Sequence, residues 1–167
     1  MNTRILFKLS GAAALVGGLM RVVSVLPLEL DTLAQEWLWT IIDMALTLGL
    51  IGVYLARAEK LGFLGLAGFA LAMASLSFIG GPDKDVFGFS TYEQGAAALA
   101  ISLVGFSLAW LRAGERPLAP PLLWFGRVLS VGVLGMLPAP APDYGFLAAG
   151  LLFGLAFAAA GFDLVRR

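Results

Sequence analysis

Arg21, Asp43 and Arg127 are ionisable side chains set inside long apolar runs. Guanidinium forks near a carboxylate in such surroundings can hold an anion, and the carboxylate can orient them or exchange a proton. A charge at the centre of hydrocarbon costs at least about 2.5–3.5 kcal/mol, so these three are expected to face the interior of a bundle and find partners there. Their neighbours extend the pattern. Thr40, Asp43, Thr47 and Tyr54 are separated by three, four and seven residues, which sets them along one helical stripe. Ser10, Ala14, Gly17, Arg21 and Ser24 make a second stripe, and Arg127 with Ser130 repeats the Arg-x-x-Ser step. Two guanidiniums against one carboxylate leave the centre with an excess positive charge, which asks for a carboxylate, phosphate or lipid headgroup between Arg21 and Arg127. The competing reading is a structural Arg21–Asp43 pair that fixes a hairpin, with Arg127 satisfied by backbone carbonyls or snorkelling toward water.

Other chemistry is poorly supplied. The absence of cysteine excludes disulfides, thiol catalysis and iron–sulfur clusters, and the absence of histidine removes the usual ligands of haem, zinc and copper. The acids lie mostly in short loops without EF-hand spacing, so neither a metal nor a cofactor is expected. Ser-x-x-Lys and Gly-x-Ser-x-Gly signatures are missing, Lys8 and Ser10 are two residues apart and point to different faces, and Asp43 has no second acid at its depth. A lipid-modifying enzyme is therefore the weakest reading.

The elements that position the centre follow from composition. Of 167 residues, 60% are hydrophobic and 13% charged, about half the charge that a soluble domain needs to cover its surface. Eleven basic residues balance eleven acidic ones, which gives no reason to expect nucleic acid. Hydrocarbon about 30 Å thick takes about 20 apolar residues, a window that fits six times. The expected spans are 5–26, 37–56, 61–80, 94–111, 121–138 and 145–165. Together they make one all-α, polytopic six-helix transmembrane domain over residues 1–167, arranged as three helical hairpins.

Loop charges orient this bundle. Arg4, Lys8, Arg57, Lys60, Arg112, Arg116, Arg166 and Arg167 fall on one side, offset by Glu59, Glu115 and Asp163. Glu29, Asp31, Glu36, Asp83, Asp85, Glu93 and Asp143 fall on the other with Lys84. The basic side is expected to be cytoplasmic, with both termini there, in a cell membrane such as the bacterial inner membrane. Trp37, Trp39, Trp110, Trp124, Tyr92 and Tyr144 are expected at headgroup level. Arg4 and Lys8 before an apolar stretch resemble a signal peptide, but Arg21 interrupts the run and no clear Ala-x-Ala site follows, so the first span is expected to be retained. In the loop before the fourth span, Asp83-Lys84-Asp85 reads as ordinary turn chemistry, and Phe87, Phe89 and Tyr92 as interfacial rings.

Lipid tails are as apolar as leucine, so helices in a bilayer associate where small residues let them approach. Gly150, Gly154, Ala158 and Gly161 form such a stripe on the sixth span; Gly65, Gly68, Ala72 and Ser75 form one on the third, and Ala98, Ser102, Gly105 and Ala109 one on the fourth. Internal packing is their expected use. Arg57, Arg112 and Arg167 recur every 55 residues, and Arg21-Val22-Val23-Ser24-Val25 resembles Arg127-Val128-Leu129-Ser130-Val131, the pattern of a parallel repeat, although even helix spacing produces equal intervals by itself.

The functional expectation is a binding or transport module for a small anionic or lipid-like molecule at Arg21, Asp43 and Arg127, with Thr40, Thr47, Tyr54, Ser24 and Ser130 around it. The alternative is a non-catalytic accessory subunit that docks to itself or to another membrane protein through its small-residue faces.

Overall fold

Caps, prolines and glycines set the helix limits. The computed structural model describes residues 3–27, 29–79, 85–86 and 88–167, and Asp83, Lys84 and Phe87 lie outside them. Its elements are α1 Thr3–Val23, α2 Thr32–Leu55, α3 Ala58–Ile79, β1 Asp85–Val86, β2 Phe89–Ser90, α4 Thr91–Arg112, α5 Ala119–Leu134 and α6 Ala141–Arg166. The Asp31 side chain caps α2 by accepting from the Ala34 N–H at 2.6 Å, and Ser90 caps α4 by accepting from the Glu93 N–H at 3.1 Å. Pro120 and Pro121 occupy the first turn of α5, where a missing N–H is harmless. Near the start of α3, Gly62 sits at φ 59°, ψ −161°, and this left-handed residue kinks the helix after its first turn. The two strands pair antiparallel, with Asp85 opposite Ser90 and Val86 opposite Phe89.

Five of the six helices among the described residues are long and apolar enough to cross a membrane. The sixth, α5, has 16 residues and stops short of the expected 121–138. Gly135 caps it and residues 135–137 continue as turns before Pro138, which disfavours helix in the residue preceding it. Side chains that a soluble protein would hide stand outside: Phe63 is 84% exposed, Met136 88% and Ile101 67%. Such a surface calls for a lipid bilayer.

The helices close into a ring, α1 against α2, α3 against α4, α5 against α6, and α1 back against α6. The α1–α6 seam is the closest, because a Cβ at Gly154 would lie 2.6 Å from the Gly18 carbonyl oxygen and one at Gly11 would lie 2.9 Å from that of Gly161. Between α3 and α4, a Cβ on Gly68 would meet the Phe106 nitrogen at 2.7 Å and the Ser102 oxygen at 2.9 Å. Backbones this near to each other gain dispersion along their whole length, which substitutes for the missing hydrophobic drive.

One end of the ring is basic. There Arg57, in the turn between α2 and α3, ion-pairs with Asp163 of α6, Arg167 reaches the same carboxylate at 3.1 Å, and Lys60 meets Glu115 at 2.7 Å. Arg57 is read from sequence as a loop charge in water, yet its side chain is fully buried with its guanidinium 3.9 Å over the Trp110 ring. Burial, with Arg167 nearby, lowers its pKa to about 10 against the pull of Asp163, so it remains a cation at neutral pH. Trp110 and Trp124 also depart from expectation. Neither has any exposure, and with Phe106 and Phe157 they form an edge-to-face cluster, Trp110 to Trp124 at 6.2 Å and Trp124 to Phe157 at 5.2 Å. Trp37 and Tyr144, by contrast, are exposed near the opposite, acidic end.

Candidate functional site

Arg21, Asp43 and Arg127 line a single cavity of about 1070 Å³ on the acidic side of the aromatic cluster. All six helices contribute to its wall, mostly from their halves nearer the acidic end. Arg21 ends α1, where the carbonyl-rich terminus favours a cation. Its guanidinium lies 4.6 Å over the Trp39 ring of α2 and donates to Ser24 Oγ at 3.5 Å. Asp43 stands four residues beyond Trp39, hence on the same stripe of α2, and is half-buried. Among the described residues, no ion pair joins it to Arg21. The carboxylate and the two guanidiniums therefore share a space rather than a hydrogen bond.

Arg127 occupies the middle of α5. Its guanidinium lies 4.5 Å over the Phe153 ring of α6, and its Nη1 atom is buried without a hydrogen-bond partner among the described residues. A guanidinium carries five donors in a fixed fork, and leaving a buried donor unpaired costs about 1–3 kcal/mol, more where the group is charged. The geometry of the fork matches that of a carboxylate or a phosphate. Beneath Arg127 the cavity is closed: Phe153 packs on Phe157 at 5.1 Å, and Phe157 packs on Trp124.

The other expected site residues are placed apart from this wall. Ser24 touches it only through Arg21, and its own hydroxyl donates to the Arg21 carbonyl at 2.8 Å. Ser130 donates to the Arg127 carbonyl at 2.8 Å and to Gly145 of α6 at 3.4 Å, so it ties α5 to α6. Thr40 is exposed and donates to the Glu36 carbonyl at 2.8 Å. Thr47 is half-buried one turn past Asp43 and outside the lining. Tyr54, near the basic end, stacks on Phe69 with centroids 4.2 Å apart. Of the small residues, Gly65, Gly68, Gly154 and Ala158 are buried. Gly150 is buried too and lines the cavity as well, where a Cβ would meet Val25 at 2.9 Å.

Sequence reasoning did not select Trp39, Glu93, Phe153 or Gly132, all of which line the cavity. Trp39 carried a usable signal, its spacing of four from Asp43. Phe153 carried none, because an aromatic residue in an apolar helix looks the same on any face. Compared with known protein families, curated proteins and solved structures, the chain matches none.

Proposed function

We propose that this chain is an integral membrane module that binds, and in a transport cycle would carry, a small anionic or lipid-like molecule held between Arg21 and Arg127. The observation that carries the reading is the buried Nη1 of Arg127, without a partner among the described residues, on the wall of a cavity that also holds Arg21. Asp43 tempers the positive charge and keeps the site selective for a single negative head. The six helices act as one transmembrane domain of three hairpins. In this reading α5, about 24 Å of helix, completes its crossing through the apolar turn at Gly135, Met136 and Leu137. The basic end with both termini faces the cytoplasm, as the positive-inside rule requires, and the cavity faces the far side of a cell membrane such as the bacterial inner membrane.

An accessory role through docking of small-residue faces to a second copy or another membrane protein is the weaker reading. Gly68 and Gly154 are occupied within the bundle by α4 and α1.

The test is thermal unfolding of the detergent-solubilised protein with sodium oleate or inorganic phosphate. At least one of the two anions should raise the Tm of the wild type and leave Arg127→Leu unmoved. Equal shifts in both proteins, or none in either, would overturn the reading.

A further inference from the structure

The cavity is far larger than any small anion. Water occupies about 30 Å³ per molecule, and a carboxylate or phosphate is only a few times that, so most of the 1070 Å³ would be left as water against apolar walls. Between the polar groups of the wall, Ala96 and Ala100 of α4 and Val128 and Val131 of α5 offer water no side-chain group to bond. A ligand that fills this space with favourable energy carries a tail as well as a head.

The wall is also thin at one seam. Toward the basic end, α4 and α5 are locked by Trp110 against Trp124. Toward the acidic end, Ala97 of α4 and Gly132 of α5 both line the cavity and are both exposed. A Cβ on Gly132 would meet nothing within 4 Å, which marks open space beside it. Ile101 continues the Ala97 stripe at 67% exposure, and Leu129 and Val133 flank Gly132 at 59% and 58%. This gap therefore opens onto surface made for lipid tails. The route from water is less inviting to an anion, because Glu29, Asp31, Glu36, Glu93 and Asp143 stand at the acidic end and Glu93 lies on the cavity rim itself.

Resting on the binding site proposed above, we infer that its occupant is a monoanionic membrane amphiphile that reaches the site sideways from the bilayer, through the seam between α4 and α5. The head sits at the Arg127 Nη1 with Arg21 opposite, and the tail lies along the small and branched side chains of α4 and α5 toward Ala97 and Gly132. Around the head itself, Arg21 and Arg127 against Asp43 leave one positive charge for a single negative charge to balance, while Glu93, the other acid of the lining, is exposed at the rim.

The test uses the full-length protein in nanodiscs of zwitterionic phosphatidylcholine, so that every variant meets the probe in the same bilayer. The probe is palmitate bearing a diazirine near its terminal methyl, and the readout is the position and yield of photolabelling by mass spectrometry. The expected result is labelling on the acidic-end halves of α4 and α5. It should fall at least tenfold in Arg127→Leu and in Gly132→Phe, and should not be displaced by millimolar inorganic phosphate. Gly132→Phe projects into open space and should fold; Ala97→Phe closes the same seam from the other side and gives an independent check.

Three results would overturn the inference. Labelling unchanged in both seam variants rules out lateral access. Displacement by phosphate, or phosphate protecting the wild type thermally while palmitate fails to label, identifies a soluble anion and leaves the Arg21–Arg127 site standing. Labelling of α4 and α5 that persists undiminished in Arg127→Leu removes the binding site itself, and the inference with it.

Discussion

The guanidinium of Arg127 lies 4.5 Å over the ring of Phe153, at the floor of a cavity it shares with Arg21 and Asp43. From that contact a run of rings, Phe153, Phe157, Trp124 and Trp110, leads through the bundle to Arg57 at the basic end. Two cations, the buried Arg57 and the half-buried Arg127, thus stand at the two ends of one aromatic column, and their circumstances differ. Among the described residues each keeps one buried donor without a partner, Nε of Arg57 and Nη1 of Arg127, but Arg57 has the carboxylate of Asp163 and Arg127 has no ion pair. In the proposed function the ion-paired cation serves the scaffold and the other serves the site.

Arg127→Leu should leave the ligand-free protein as stable as the wild type or raise its Tm by a few degrees. The substitution removes a buried donor that has no partner among the described residues, and replacing a desolvated charge by an apolar side chain is of the kind often found neutral or stabilising. Thermal unfolding in a lipid-free detergent preparation checks this. A drop of ten degrees or more would show Arg127 to be structural.

Asp163→Ala should be strongly destabilising, by about 3 kcal/mol, because it strands the fully buried Arg57 guanidinium. Joint replacement, Arg57→Met with Asp163→Leu, should recover most of the loss. Unfolding in mixed micelles would measure both, and a double variant no better than Asp163→Ala would show that the charge pair is not the source of the loss.

The pair between Lys60 and Glu115 gives a pH dependence. The hydrogen bond from Lys60 holds the Glu115 carboxyl below its ordinary value of 4.5, so its contribution is complete above that value and fades as the pH falls through the lowered folded pKa. The wild-type Tm should therefore fall more than that of Glu115→Gln between about pH 6 and about pH 3. Parallel falls in the two proteins would contradict the linkage.

Glycines at two seams should respond in opposite ways. Gly154→Leu forces a side chain against the Gly18 carbonyl, where even a Cβ would lie 2.6 Å away, and a backbone cannot move aside as a side chain can. Loss of about 3 kcal/mol or failure to assemble is expected. Gly132→Leu meets open space and should change the Tm by less than about two degrees, apart from the gain that replacing glycine in a helix brings. Size-exclusion profiles and melting curves of the two variants would distinguish these outcomes.

The sequence made the helical, membrane-embedded class readable, because apolar windows of bilayer length are long signals that local packing does not erase. It also singled out Arg21, Asp43 and Arg127, since a charge in hydrocarbon is rare enough to stand out residue by residue. Thr40, Thr47 and Tyr54 share the Asp43 stripe, but a stripe runs the length of α2 and the cavity takes only its acidic-end part. Asp43 and Tyr54 are separated by about 16 Å of helix, enough to put the tyrosine against Phe69 at the other end. Arg57 and Trp110 were misjudged for one shared reason: position along a helix shows depth, and which neighbour covers a side chain depends on how the ring closes. Asp163 held a clue, as an acid on the basic side within a predicted span. The α1–α6 closure that brings it to Arg57 joins the two sequence-distant ends of the chain and could not be read from hairpin order.

The most direct test of the central claim is native mass spectrometry of the protein extracted together with its own membrane lipids, comparing wild type with Arg127→Leu. A negatively charged species bound at one copy per chain in the wild type and absent from the variant is the predicted result. Empty wild-type protein, or the same species retained in the variant, would contradict the claim that Arg127 and Arg21 form an anion site.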